Sequence, residues 1–132
     1  MRVIDKLGLL HIANRRLLVA RSRNKTQFYV PGGKRDEGES DIDALCREVE
    51  EELATTLQPD SIRPAGVFQA QADGQPTGIN VKVTAYFGTP AANPRPSAEI
   101  AELAWFSSKD ADRMSLTGQL ILQELQARGL ID

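Results

Sequence analysis

From Asp36 to Glu52, seventeen residues carry nine carboxylates (Asp36, Glu37, Glu39, Asp41, Asp43, Glu48, Glu50, Glu51, Glu52) and one base, Arg47. This stretch holds half of the 18 acidic side chains of a 132-residue chain. The other 115 residues carry 15 bases against 9 acids, so the net charge of −2 conceals a concentrated acidic site in a mildly basic frame. On a helix, residues three and four apart are neighbours, which brings Glu48, Glu51 and Glu52 to one edge. Each like-charged pair at that spacing costs about 0.2–0.5 kcal/mol. Arg47, four residues before Glu51, is the one base that offsets it, and no other follows until Arg63. Most charge runs are solvated faces, but an ordinary exposed helix interleaves lysine or arginine. Carboxylate oxygens suit hard divalent cations, and Mg²⁺ keeps waters that a phosphate can replace. Two readings therefore stand at this point, a solvated acidic face and a divalent-metal site.

Two other motifs in the same stretch fail on chemistry. Gly33-x4-Gly38 has the glycine spacing of a P-loop, yet Glu39 occupies the position that needs lysine. Asp41-x-Asp43 begins like a calcium-binding loop, but Leu45 stands where a third oxygen ligand belongs and Cys46 where the turn needs glycine.

The elements that must position these carboxylates follow from patterning. Val3 to Ile12 and Leu17 to Ala20 are apolar stretches joined near Asn14, which predicts a β-hairpin over residues 3–21. Arg21 to Lys25 is a basic loop. Phe28, Tyr29 and Val30 read as a short strand stopped by Pro31-Gly32-Gly33. Ser40 is a good N-cap, with Asp43 three residues on. Ile42, Leu45, Val49 and Leu53 then form one apolar stripe, with Cys46 beside it and Arg47, Glu48, Glu51 and Glu52 on the opposite side. The helix is expected to end near Thr55 or Thr56. Val67 to Ala70 and Ile79 to Phe87 alternate as strands do, around a turn-rich segment from Ala72 to Gly78. Ile100 to Phe106 predicts a last strand, and Leu116 to Leu130 an amphipathic helix closed by Gly129. Mixed strands with one helix in the middle and one at the end predict a sheet covered by helices.

Composition narrows the function classes. Residues 1–132 read as a single domain, 41% hydrophobic and large enough for a core. A near-neutral charge and 5% aromatic content argue against nucleic-acid polymers and anionic membranes. No apolar run is long enough for a membrane span or a secretion signal, so the expected location is cytoplasmic. The single cysteine, Cys46, forms no internal disulfide and reads as packed rather than reactive. His11 reads as structural or exposed, and Trp105 and Phe106 as core or pocket wall.

Gly33, five residues, Glu39, seven residues, then Arg47-Glu48-Val49-Glu50-Glu51-Glu52 resembles the signature of the Nudix hydrolases, Gly-x5-Glu-x7-Arg-Glu-aliphatic-x-Glu-Glu-x-Gly-aliphatic. The motif covers about a sixth of the chain, and the strand order and length extend the similarity to nearly all of it. The likeness departs at its end, where Ala54 replaces glycine and Thr55 an aliphatic residue. If that glycine serves a left-handed turn, alanine costs roughly 1 kcal/mol there; otherwise the helix runs further.

The resemblance implies an α/β/α sandwich, a mixed β-sheet flanked by helices, that cleaves a nucleoside diphosphate linked to another group. The implied cofactor is Mg²⁺ or Mn²⁺. Glu51 and Glu52 would be metal ligands, Glu48 a ligand or the general base, and the Gly32 carbonyl a further ligand. Arg47 and Glu39 would orient the helix carboxylates. Several family members take another ligand from a loop six residues before a tryptophan, which here points to Glu99, with Glu102 as its competitor. Lys34 is similar to the family's phosphate-facing lysine. The loop bases Arg21, Arg23 and Lys25 are either solvated or substrate-binding, Arg23 being the candidate. The expected partner is a small nucleotide bound by a monomer or homodimer. The first substrate expected is a nucleoside or deoxynucleoside triphosphate; the alternatives are ADP-ribose, a nucleotide sugar, or a sensor that binds without cleaving.

Overall fold

The computed structural model describes residues 2–132. β1 (Arg2–Leu10), β2 (Ile12–Ala13), β3 (Arg16–Ser22) and β4 (Gly32–Lys34) precede α1 (Asp41–Leu53). β5 (Arg63–Gln71), β6 (Ile79–Phe87), β7 (Ile100–Phe106) and α2 (Leu116–Ala127) follow, with short 3-10 turns at Pro59–Ser61 and Ser108–Arg113. The strands form a four-stranded sheet, β4-β1-β6-β5, and a three-stranded sheet, β2-β3-β7. The larger sheet is mixed: β1 runs parallel to β6 and antiparallel to β4, and β5 is antiparallel to β6.

Helices cover both sides, as the sequence leads one to expect. Leu45, Val49 and Leu53 of α1 pack with Ala44, Leu7, Leu9, Leu18 and Leu57. Ile121, Leu122 and Leu125 of α2 join Leu10, Leu17, Val19, Phe106 and Met114 in a second core. β3 alternates between the two, Leu17 and Val19 toward α2 and Leu18 toward α1, which is why Leu17–Ala20 is apolar at every position. Ile42, expected on the buried stripe, is 39% exposed because the stripe narrows to Leu45, Val49 and Leu53 at the helix start.

Three local expectations are corrected. The hairpin exists only as β2 and β3, paired Ile12 to Leu17 and Ala13 to Arg16 around Asn14 and Arg15, both at positive φ. β1 instead leaves for the other sheet, where its nine residues pair with β6. Tyr29 and Phe28 make only isolated bridges, to Ala20 and Met114, and the strand forms one step later, at the double glycine itself. α1 stops at Leu53 rather than near Thr55. Ala54 takes the left-handed conformation, φ 56° and ψ 33°, and its N–H donates to the Glu50 carbonyl.

At the other end of α1 the Asp43 N–H donates to the Ser40 hydroxyl at 3.1 Å. Tyr86 donates to Asp41 at 2.7 Å and Arg35 pairs with it at 2.6 Å, which ties the first turn to the sheet. A carboxylate there also complements the helix dipole. α2 ends as expected, with Gly129 at φ 75° and Leu130 N–H donating to the Leu125 carbonyl.

Candidate active site

The site forms where β4 meets α1, and it needs residues without side chains. Gly32 has φ 145°, and a Cβ there would stand 2.0 Å from the Leu7 carbonyl oxygen of β1. A Cβ on Gly33 would stand 2.5 Å from Glu48 Oε2. The double glycine thus lets β4 run against β1 on one side and lets the helix carboxylates close over it on the other.

Glu52 is the most deeply set of these acids, 2% exposed, and accepts the Gly32 N–H at 2.9 Å. Burial pushes its pKa up to about 8, and the carboxylates of Glu99 and Glu48 push in the same direction against the Gly32 hydrogen bond. Burial also raises Glu48, opposed by Arg47. Glu99 lines the same cleft, and its charge helps to raise Glu52. Glu102 does not join them; it pairs with Arg21 at 2.8 Å.

Arg47 knits the rest together. Its Nε and Nη2 donate to the two oxygens of Glu39, each at 2.8 Å, in a bidentate pair. Its Nη1 donates to Glu48 at 3.0 Å and Glu51 at 3.2 Å, and Nη2 also reaches the Lys34 carbonyl at 3.1 Å. Arg47 and the Asp36 N–H hold Glu39 down at about 2, and the surrounding carboxylates push Arg47 further up. One guanidinium therefore fixes the rotamer of Glu48 and anchors the loop that carries Glu39.

Gly32, Gly33, Glu48, Glu52 and Glu99 line a cleft of about 830 Å³, within the usual size range for a small-molecule site. Lys34 lies on its rim, exposed on β4. Arg23 is exposed and is not among the lining residues; its backbone N–H donates to the Glu99 carbonyl at 2.9 Å, fixing the loop that carries Glu99. Among the described residues no three His, Cys, Asp or Glu side chains converge tightly enough to enclose an ion, since Arg47 draws Glu48 and Glu51 toward itself. The donor chemistry nevertheless fits a hard divalent cation: carboxylate oxygens, two of them on acids whose mutual repulsion a cation would relieve.

Lys6 and Tyr29 also line the cleft, and patterning does not single them out. Burial raises Tyr29 to about 12, and its hydroxyl hydrogen-bonds with Ser22. Trp105 is neither core nor pocket wall. It is 41% exposed and meets His11 edge to face at 5.5 Å, outside the cleft. His11 itself lies between β1 and β2, half-buried. Cys46 packs partly against the α1 core, and burial raises its thiol.

The NUDIX domain profile matches residues 7–125, nearly the whole chain. The chain belongs to the Nudix family. It is a hydrolase of phosphoric anhydrides that acts on nucleoside diphosphate derivatives. No curated protein matches it by sequence. Solved structures resemble it closely in fold. A MutT NUDIX hydrolase from Burkholderia pseudomallei superposes with a TM-score of 0.76 at 21% identity, covering 95% of this chain and 99% of that one. The E. coli dihydroneopterin triphosphate pyrophosphohydrolase gives 0.73 at 14%, covering 94% and 95%. A UDP-X diphosphatase gives 0.70 at 18%, covering 98% of this chain and 64% of its own. Among the described residues no helix is long and apolar enough to cross a membrane. The α/β/α architecture expected from the Nudix motif is therefore the one observed.

Proposed function

We propose that this Nudix enzyme is a Mg²⁺- or Mn²⁺-dependent pyrophosphohydrolase whose first substrate is a nucleoside or deoxynucleoside triphosphate, cleaved to monophosphate and pyrophosphate. The observation that carries the reading is an acid cluster facing a cleft of about 830 Å³, with Glu52 buried against Gly32 and the half-buried Glu48 and exposed Glu99 lining the same cleft. Glu48, Glu51, Glu52, Glu99 and the Gly32 carbonyl would hold the divalent cation, which would neutralise phosphate charge and acidify the attacking water. Glu48, facing the cleft, would serve as the base that takes the proton of the attacking water at a carboxylate oxygen. Arg47 keeps Glu48 aimed while Glu39 keeps Arg47 in place, and Lys34 meets phosphate oxygens at the cleft rim. Arg23 holds the Glu99 loop through its backbone, and its exposed guanidinium is available to a phosphate chain that extends beyond the cleft.

The triphosphate assignment draws on the likeness to the pyrophosphohydrolase that acts on a triphosphate. The likeness to a UDP-X diphosphatase makes ADP-ribose and nucleotide sugars the rival substrates. Incubation of the enzyme and Mg²⁺ with all three classes, followed by phosphorus NMR of the products, separates them. Pyrophosphate and monophosphate from triphosphates support the assignment; cleavage confined to ADP-ribose or nucleotide sugars overturns it.

A further inference from the structure

The face of β1 that looks toward α2 carries Ile4, Lys6, Gly8 and Leu10, since alternate residues of a strand share a face. Leu10 is in the α2-side core, and a Cβ on Gly8 would press against Val83 and Val30 of the same core at 2.7 and 2.8 Å. Ile4 and Lys6 continue this row into the cleft, beside Val81 and Val83 of β6. A lysine in the middle of an apolar row breaks the local pattern, and such breaks concentrate at functional positions. Its backbone lies opposite Lys34 across the β1–β4 pairing. Among the described residues its ammonium has no ion-paired or hydrogen-bonded partner. Burial and Lys34 lower its pKa, while Glu52 and Glu48 act in the other direction. A partly desolvated cation without a contacting counter-charge is costly unless a ligand supplies one.

Position selects the ligand group. Along β1, Lys6 stands between Gly8, which pairs with Gly32 beneath Glu52, and Ile4, which pairs with the apolar Val81; Glu48, Glu52, Ile4 and Val81 all line the cleft. A nucleotide with its reacting phosphates at the acids and its nucleoside on Ile4 and Val81 puts its first phosphate between the two. We propose that Lys6 binds the phosphate attached directly to the nucleoside and so sets which anhydride bond reaches the acid cluster. This assignment rests on the pyrophosphohydrolase reading.

The test compares wild type, Lys6→Met and Lys6→Arg for binding of AMP, GMP, CMP and UMP and the four free nucleosides, by calorimetry with Mg²⁺ present. Methionine keeps the row apolar and the volume similar, and thermal melting checks that it folds. The wild type is expected to prefer monophosphates to nucleosides; Lys6→Met is expected to lose about tenfold of that preference, as one charge-assisted hydrogen bond implies. Lys6→Arg should restore most of it. A preference unchanged in Lys6→Met, an equal loss for nucleosides and monophosphates, or no preference in the wild type each overturns the assignment. Failure of the catalytic reading would show separately, as absent turnover in the wild type, whatever the binding preference.

Discussion

Ala54 offers a test of the fold that follows from one backbone angle. It sits directly after α1 with φ 56° and ψ 33°, and its methyl group is exposed, so its side chain contributes little burial. A left-handed conformation costs a residue with a Cβ about 1–2 kcal/mol. Glycine removes that cost but gives back about 0.4–1 kcal/mol through its freer unfolded chain. Ala54→Gly should therefore stabilise the protein by about 0.5–1 kcal/mol. Unfolding entropy near 2.1 cal/mol/K per residue turns this into a Tm rise of roughly 2–4 °C for a chain of this length. Differential scanning calorimetry in parallel with urea unfolding measures both. The helix exit and Glu52 should not move, so kcat should stay within about twofold of wild type. A Tm that is unchanged or lower would refute the left-handed exit and return the helix to an end beyond Ala54.

Other substitutions separate positioning from chemistry. Arg47→Lys replaces a planar fork with a point charge that cannot hold Glu39 through two parallel bonds; kcat/KM should fall about 10–100-fold, measured by steady-state kinetics. Gly33→Ala puts a methyl 2.5 Å from Glu48 Oε2, and since the flexible carboxylate yields, activity should fall about 100-fold while circular dichroism melting changes little. In EDTA, stability should fall as pH rises from 4.5 toward 8. Glu52, raised to about 8, keeps a proton in the folded state that the unfolded chain has already lost. The slope from this residue is at most about 1.4 kcal/mol per pH unit, and Glu52→Gln should flatten it in urea titrations at several pH values. Glu39, held near 2, acts in the opposite sense, with stability lost as pH falls below 4.5 toward 2.

The Nudix motif points to the double glycine, Glu48 and Glu52, which the fold brings to one cleft, because the two long spacings and the run of acids after Arg47 stand intact in the sequence. What patterning concealed were positions where two rules compete. Glu52 was read as part of the polar face, yet it follows Leu45 by seven residues, two helical turns, and so lies on the buried stripe. Lys6 was read through as part of an apolar strand, although alternation with Ile4, Gly8 and Leu10 sets it on the inward face. Proximity in sequence suggests a hairpin of β1 with β3, whereas pairing with β6 gives β1 a full nine-residue parallel register. Counting back six residues from Trp105 points to Glu99 and leaves Glu102 as its competitor. Arg21 separates them, by pairing with Glu102 across the β3–β7 ladder and leaving Glu99 to the cleft.

The most direct measurement is turnover of a triphosphate panel with Mg²⁺ by wild type and by Glu52→Gln at equal folded concentration. Glutamine keeps the size of the side chain and an oxygen for the Gly32 N–H but removes the charge. The account predicts monophosphate and pyrophosphate from the wild type and at least a hundredfold slower release from the variant. Equal rates for the two proteins would contradict it, because the buried carboxylate would then have no part in the reaction.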